Sequence, residues 1–337
     1  MKKVIVLTLV VLLMIFGVVR YDEMPYQASD TGTIELRMSQ TSSETGAIGQ
    51  AMDKFAEEIY ERTDGRYKIN TFHNGQLGGE RDNIEGCQMG TIDIAVVNQA
   101  PLANFVPEIG ALDIPYLISG TEHADNIFLG EIGAYLLDEL DKTGIYGLSI
   151  WESGFRNLTN SKREVNSLED IAGLRVRTME NKVHQDFWRD LGSDPVPMAW
   201  SEAYTALQQG AIDGQENPSS VILTNNVAEV NKNMAITEHA YSTVFLIMSP
   251  KAWSSLSEKD QKIFLEAAND MGILGRELNR TMEQDALAEL EAAGMTITYP
   301  DKQEFIEASS DFRKAYEEKY GSIINRINEV NPLNVLN

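Results

Sequence analysis

Three short stretches carry the residue types that could do chemistry: Gly154-Phe155-Arg156-Asn157, Gly173-Leu174-Arg175-Val176-Arg177-Thr178, and the run from Gln208 to Pro218. In the second, Leu174 and Val176 alternate with Arg175 and Arg177, so a strand buries the two apolar residues and turns both guanidiniums to its other face. An arginine facing a cleft needs an anion, and its planar fork suits a carboxylate. The third stretch ends in Asp213-Gly214-Gln215-Glu216-Asn217-Pro218, a turn composition that projects side-chain amides beside an extended residue before Pro218. Together these describe an anion site built from loops. Plainer readings exist: most arginines on an amphipathic strand are solvated, and most Asp-Gly pairs only reverse the chain. Asp213 and Glu216 also offer a carboxylate pair for acid and base work, as in glycoside hydrolysis. No G-x-S-x-G, H-E-x-x-H or G-x-x-x-x-G-K motif accompanies them. One cysteine, Cys87, and four scattered histidines show no metal-ligand spacing. No metal or cofactor is therefore expected.

Arg177 with Asp213 to Pro218 resembles the signature of the substrate-binding subunits of tripartite ATP-independent periplasmic (TRAP) transporters. The resemblance runs from about Ile34 to Ile324. It takes in Gly75-Gln76-Leu77-Gly78 with Glu80-Arg81, Phe105 to Glu108 ahead of Pro115-Tyr116, and Pro197 to Glu202, in the family's order and near its spacing. It implies an α/β, two-domain periplasmic binding protein fold, with mixed β-sheets flanked by helices and a long helix spanning both domains. It implies a small carboxylate ligand, membrane permease subunits as partners, and no catalysis. By the same resemblance, Arg177 clamps the ligand carboxylate and Asn217 lies against that group. Arg156 matches a second nearby arginine, and Trp200 holds an aromatic position facing the ligand.

From the residues alone, Trp200 can equally wall a pocket or staple the entry of the helix that follows. Glu80, Gln40, Asn98, Gln99 and Glu216 are expected to serve ligand hydroxyls, and Tyr241 matches a cleft-facing position in some relatives. Acceptors such as Glu80 and Glu216 opposite the clamp would repel a second carboxylate. That favours a hydroxylated monocarboxylate, such as a uronate or aldonate, over a C4-dicarboxylate, and a 2-oxo acid stands as a further alternative. Asn98-Gln99-Ala100-Pro101 also departs from the sialic-acid binders of the family.

The 28 basic and 51 acidic residues give a net charge of −23. This argues against nucleic acid or an anionic membrane surface as partner, and it means that local arginines must hold any anionic ligand. Lys2 and Lys3 precede an apolar run from Val4 to Val19. As a helix that run rises ~24 Å, short of the ~30 Å hydrocarbon core, so residues 1–20 read as a signal peptide or an uncleaved anchor of an exported, periplasmic protein. A chain this long exceeds one ordinary core. The expected division is 32–153 for domain I, with 242–275 returning to it, and 154–241 for domain II, with 276–330 packing on it.

These domains must position the arginines. Strands are expected at Ile34 to Met38, Tyr67 to Phe72 and Ile92 to Val97, with helices at Ile48 to Ile59 and Glu80 to Met89 between them. That is two βαβ units, with ligand-facing residues at the strand carboxyl ends. A helical stretch between Gly120 and Tyr146 leads to strand Tyr146 to Trp151. Helices follow at Asn181 to Leu191 and, capped by Ser201, up to Gln209. Ser242 to Ser249 reads as a return strand, and Glu258 to Ala293 as one long helix stopped by Gly294.

Overall fold

The computed structural model describes residues 32–334, so the expected leader lies outside the described residues. The two βαβ units are present: β1 (Ile34–Ser39) pairs in parallel with β2 (Tyr67–Phe72) and with β3 (Ile94–Asn98). The Ala47–Arg62 helix turns Ala51, Met52, Phe55 and Ile59 inward, and the chain leaves it through Asp64 and Gly65 at φ 52° and 76°. Each fully buried side chain of the Phe55 class contributes about 1.5–3 kcal/mol. The Glu80–Met89 helix stops at Gly90, which adopts φ 70° where a side chain would be strained.

Beyond these come β4 (Tyr146–Asn160), β5 (Arg175–Thr178), β6 (Asp194–Pro197), β7 (Gly214–Asn217), β8 (Asn233–Met248) and β9 (Thr296–Thr298). The sheet runs β2-β1-β3-β8-β4-β7-β5-β6, and β9 pairs with β8. Strands β4 and β8 are antiparallel partners of 15 and 16 residues, both at least twice the length expected. Their middle residues Glu152, Ser153, Arg156, Thr237, His239 and Ser242 look like loop by polarity, yet all are buried. Register shifts at Glu152/Gly154 and Arg156/Leu158 bend β4 where the sequence suggests a stop, and Gly154 takes φ 112° within this bend. The first part of β4 and the last part of β8 therefore extend the β1–β3 lobe. Their other parts join β5, β6 and β7.

Ser257 caps the Glu258–Ala292 helix by accepting the Asp260 N–H at 3.2 Å. At 35 residues the helix rises about 52 Å. Gly272 and Gly275 sit where this helix packs on its neighbours. A Cβ on Gly272 would lie 2.9 Å from Trp151, and one on Gly275 would lie 3.2 Å from Ala51, so both glycines permit close packing. Further along, Asn279 bonds Glu152 of β4, and Glu283 accepts the Ser219 and Ser220 N–H groups just after β7. One helix thus fastens to both lobes.

Three local expectations change. The stretch after Gly120 forms two helices, Thr121–Phe128 and Glu131–Asp141, because Gly130 interrupts it. The Trp200–Gln208 helix begins at Trp200, so Ser201 does not cap it; Ala199 occupies that position without a side-chain bond. The Ser310–Glu329 helix packs Phe312 on Phe187, and its Ile327 carbonyl accepts from His123 Nε2 at 2.8 Å. It therefore touches the Thr121–Phe128 helix as well as the second lobe.

Candidate functional site

A cleft lies between the lobes, and Glu80 and Asn98 reach it from one side while Arg156, Arg177, Trp200 and Asn217 reach it from the other. Glu80 opens a helix and Asn98 ends β3, whereas Arg177 lies near the end of β5 and Asn217 ends β7. These positions follow from parallel strands whose carboxyl ends converge on the gap.

Arg177 is 2% exposed, and among the described residues no carboxylate pairs with it. Its Nε and Nη2 both donate to the Met198 carbonyl, at 3.0 and 2.8 Å, and its guanidinium carbon lies 5.3 Å from the Trp200 ring centre. Burial pushes its pKa down to about 10, against the pull of Glu216, so it stays charged at neutral pH. A cation held in this way lacks the anion that normally offsets its desolvation. The carbonyl and the ring orient it without neutralising it.

Arg156 is equally buried but fully occupied. Its Nη2 donates to Glu216 Oε1 at 3.0 Å, its Nε to Glu216 Oε2, and its Nη1 to Ser242 Oγ at 3.2 Å. His239 Nε2 donates to the same Oε2 at 3.1 Å, and its Nδ1 accepts the Thr237 hydroxyl. Burial alone would raise the Glu216 carboxyl, but the Arg156 charge and the His239 bond hold it well below the usual carboxylate range. Glu80 behaves oppositely. Burial raises its carboxyl, although Oε1 accepts the Asn98 N–H at 2.6 Å and the Arg177 and Arg156 charges oppose the rise.

The other amides divide between cleft and wall. Asn217 donates to Gln215 Oε1 at 2.6 Å, which leaves one amide N–H and its own oxygen toward the cleft. Asn98 donates to Ser242 Oγ at 2.7 Å, so this hydroxyl links Asn98 to Arg156 across the gap.

Four residues expected at the ligand lie elsewhere. Glu216 has both oxygens committed to Arg156 and His239 and is 0% exposed, so it cannot serve ligand hydroxyls in this arrangement. Gln99 is saturated: Oε1 accepts from the Thr243 N–H and hydroxyl, and Nε2 donates to Asp113 and the Tyr241 carbonyl. Gln40 is drawn into the wall by His73 Nδ1 at 2.7 Å. Tyr241 faces away because the pleat of β8 puts Ser242 and Val244 on the cleft side; its ring packs against Phe128 and Phe155. Ser42, Ser153, Met179 and Val221 also line the cleft, and no expectation covered them. Met179 was within reach of the sequence, since it continues the Arg175, Arg177 alternation.

A separate cavity of about 580 Å³ lies between the Glu131–Asp141 and Glu258–Ala292 helices. Its one arginine, Arg276, is already paired with Asp125 and Glu152. Among the described residues no group of three His, Cys, Asp or Glu side chains could hold a metal.

The model for bacterial extracellular solute-binding proteins, family 7, matches residues 38–319. The chain belongs to this family. A solute-binding protein of Verminephrobacter eiseniae is 40% identical over 291 residues, covering 85% of this chain and 86% of the relative. Among solved structures, a TRAP periplasmic solute-binding protein from Polaromonas sp. JS666, bound to D-erythronate, is 39% identical with a TM-score of 0.85, covering 88% of this chain and 98% of that one. One from Bordetella bronchiseptica, with density assigned to pantoate, is 37% identical with a TM-score of 0.86, covering 88% and 99%. More distant TRAP structures hold D-glucuronate (Citrobacter koseri, 30% identical) and succinate (Sulfurospirillum deleyianum, 26% identical). The fold is thus the two-domain one of TRAP solute-binding proteins, and the family and its solved members are transport receptors rather than enzymes. Among the described residues no helix is long and apolar enough to cross a membrane.

Proposed function

We propose that the protein captures a small hydroxylated monocarboxylate outside the cytoplasm, closes its two lobes on it, and presents it to the permease subunits of a TRAP transporter. The observation that carries this reading is Arg177, a buried guanidinium with no acid partner among the described residues. Arg156 and Glu216 cancel, so the cleft keeps one positive charge at Arg177 and one carboxyl at Glu80. A single carboxylate satisfies the first, and a hydroxyl donor suits the second. A second carboxylate would meet Glu80. The ligands of the erythronate, pantoate and glucuronate relatives fit this charge count, whereas succinate fits it less well.

Residues 1–20 serve as the export leader or anchor in this reading. The lobes divide near Glu152–Asn157 on β4 and Thr237–Thr243 on β8, so the two long strands and the Glu258–Ala292 helix form the hinge. Charge-assisted bonds contribute about 1.5–3 kcal/mol each, so a two-pronged clamp on Arg177 supplies roughly 3–6 kcal/mol. A thermal-shift panel of aldonates, uronates, C4-dicarboxylates and 2-oxo acids tests this. A ligand at 100 times its Kd adds about 2.7 kcal/mol of stability, and the shift should vanish in Arg177→Ala. An equal shift in both proteins would remove Arg177 from the role of clamp.

A further inference from the structure

Asn217 lines the cleft, and the side chains behind it form one hydrogen-bonded chain that leads into the second lobe. Its Nδ2 donates to Gln215 Oε1 at 2.6 Å, Gln215 Nε2 donates to Thr159 Oγ1 at 2.9 Å, and the Thr159 hydroxyl donates to Asn231 Oδ1 at 2.8 Å. Strand register builds this row. Gln215 of β7 pairs with Thr159 of β4 on one side and with Arg177 of β5 on the other, and Asn217 follows two residues on, on the same face. Gln215, Thr159 and Asn231 are each 0% exposed, so bulk water cannot replace these bonds.

The direction of the chain is set at its far end. Asn231 Nδ2 lies 3.2 Å from the Asp213 carbonyl oxygen and 3.1 Å from that of Val230, and a carbonyl can only accept. The amide nitrogen must therefore face these two groups, and the amide oxygen faces Thr159. The Thr159 hydroxyl then has to donate, since its other near neighbour, the Gln215 carbonyl at 3.4 Å, is also an acceptor. A hydroxyl whose hydrogen is committed offers only lone pairs, so Gln215 turns its nitrogen to Thr159 and its oxygen to Asn217. Asn217 in turn points Nδ2 at Gln215. Turning over any one of these amides would set like groups against each other in the interior and leave buried donors and acceptors unpaired.

We infer that Thr159, Gln215 and Asn231 are positioning residues for ligand recognition: none of the three lines the cleft, yet together they fix which way the Asn217 amide faces it. The inference rests on the carboxylate-receptor reading above. With one N–H spent on Gln215, Asn217 keeps its second N–H for a carboxylate or hydroxyl oxygen and its Oδ1 for a hydroxyl hydrogen. An amide free to turn over would spend part of its time with this pair exchanged.

Isothermal titration with D-erythronate, pantoate and D-glucuronate of wild type, Thr159→Val and Thr159→Ser, each also in an Asn217→Ala background, tests it. Valine keeps the size of threonine but can neither donate nor accept, so Thr159→Val should weaken the best-bound acid by about fivefold to tenfold, the share of one hydrogen bond. Serine keeps the hydroxyl and should stay within about twofold of wild type. The loss should disappear where Asn217 is already alanine, because the chain acts only through that amide. An unchanged affinity in Thr159→Val, or the same loss with and without Asn217, would overturn the chain while leaving the receptor reading intact. If none of the three acids binds the wild type, the receptor reading fails and the inference fails with it. Should Thr159→Val not fold, Gln215→Met, which leaves the bond from Thr159 to Asn231 in place, carries the same two expectations of loss and of its disappearance in Asn217→Ala.

Discussion

Arg156 and Arg177 face one cleft and are each 2% exposed, yet their surroundings are opposite. Arg156 has a carboxylate gripping it from two sides, a histidine behind that carboxylate, and a serine on its remaining nitrogen. Among the described residues, Arg177 has a carbonyl oxygen and an aromatic face but no carboxylate partner. Burial alone does not tell a binding arginine from a structural one. The difference lies in whether the fold already supplies the anion. Where it does, removing one partner strands a charge in the interior; where it does not, the open valence is the one that the proposed ligand carboxylate would complete.

The comparison breaks first at Glu216. Glu216→Gln leaves Arg156 buried without its counter-charge and should cost about 3–5 kcal/mol of folding stability, measured by urea unfolding. Loss of under 1 kcal/mol would mean that Arg156 and Arg177 are equivalent after all. Next is Gly154→Ala, which forces a side chain to φ 112° and brings its Cβ within 3.3 Å of Asn279 Nδ2. It should cost about 1–3 kcal/mol in the same assay, and no loss would separate the β4 bend from any need for glycine. Arg177→Ala should change the stability of the ligand-free protein by only about 1 kcal/mol, because no ion pair is lost. A loss as large as that of Glu216→Gln would reveal a structural role for Arg177.

The pH dependence sharpens the same contrast. The folded-state pKa of Glu216 is depressed, so its contribution is fully present above the unfolded carboxyl value near 4.3 and is lost progressively as pH falls from there through the lower folded pKa. Glu80 is raised, so its charged form is disfavoured in the fold, and its contribution weakens as pH climbs through its folded pKa. The stability gap between wild type and Glu216→Gln should therefore narrow on acidification from pH 5 to pH 3. A gap that stays constant over that window would rule out ionisation of Glu216 as its source.

Much of this was legible in the sequence, because hydrophobic spacing fixes where Met52, Phe55 and Ile59 must face and left-handed glycines such as Gly90 end helices. The cleft residues Glu80, Asn98, Arg177 and Asn217 were reachable because they fall at strand ends or at the helix start beside them. The long strands were not, since the buried polar residues of β4 and β8 have the composition of loops and their partners come from distant parts of the chain. Glu216 failed for the same reason. Nothing near it in sequence announces that Arg156, 60 residues away, would claim both of its oxygens. Tyr241 depended on the parity of a strand whose length polarity had concealed.

The most direct test is calorimetric titration of wild type, Arg177→Ala and Arg177→Lys with D-erythronate. If Arg177 clamps the carboxylate through two parallel bonds, alanine should weaken binding by roughly 3–6 kcal/mol, about 100-fold to 10,000-fold or more. Lysine, which keeps the charge but not the fork, should recover only part of that loss. Unchanged affinity in Arg177→Ala would contradict the clamp and leave the buried guanidinium without a function.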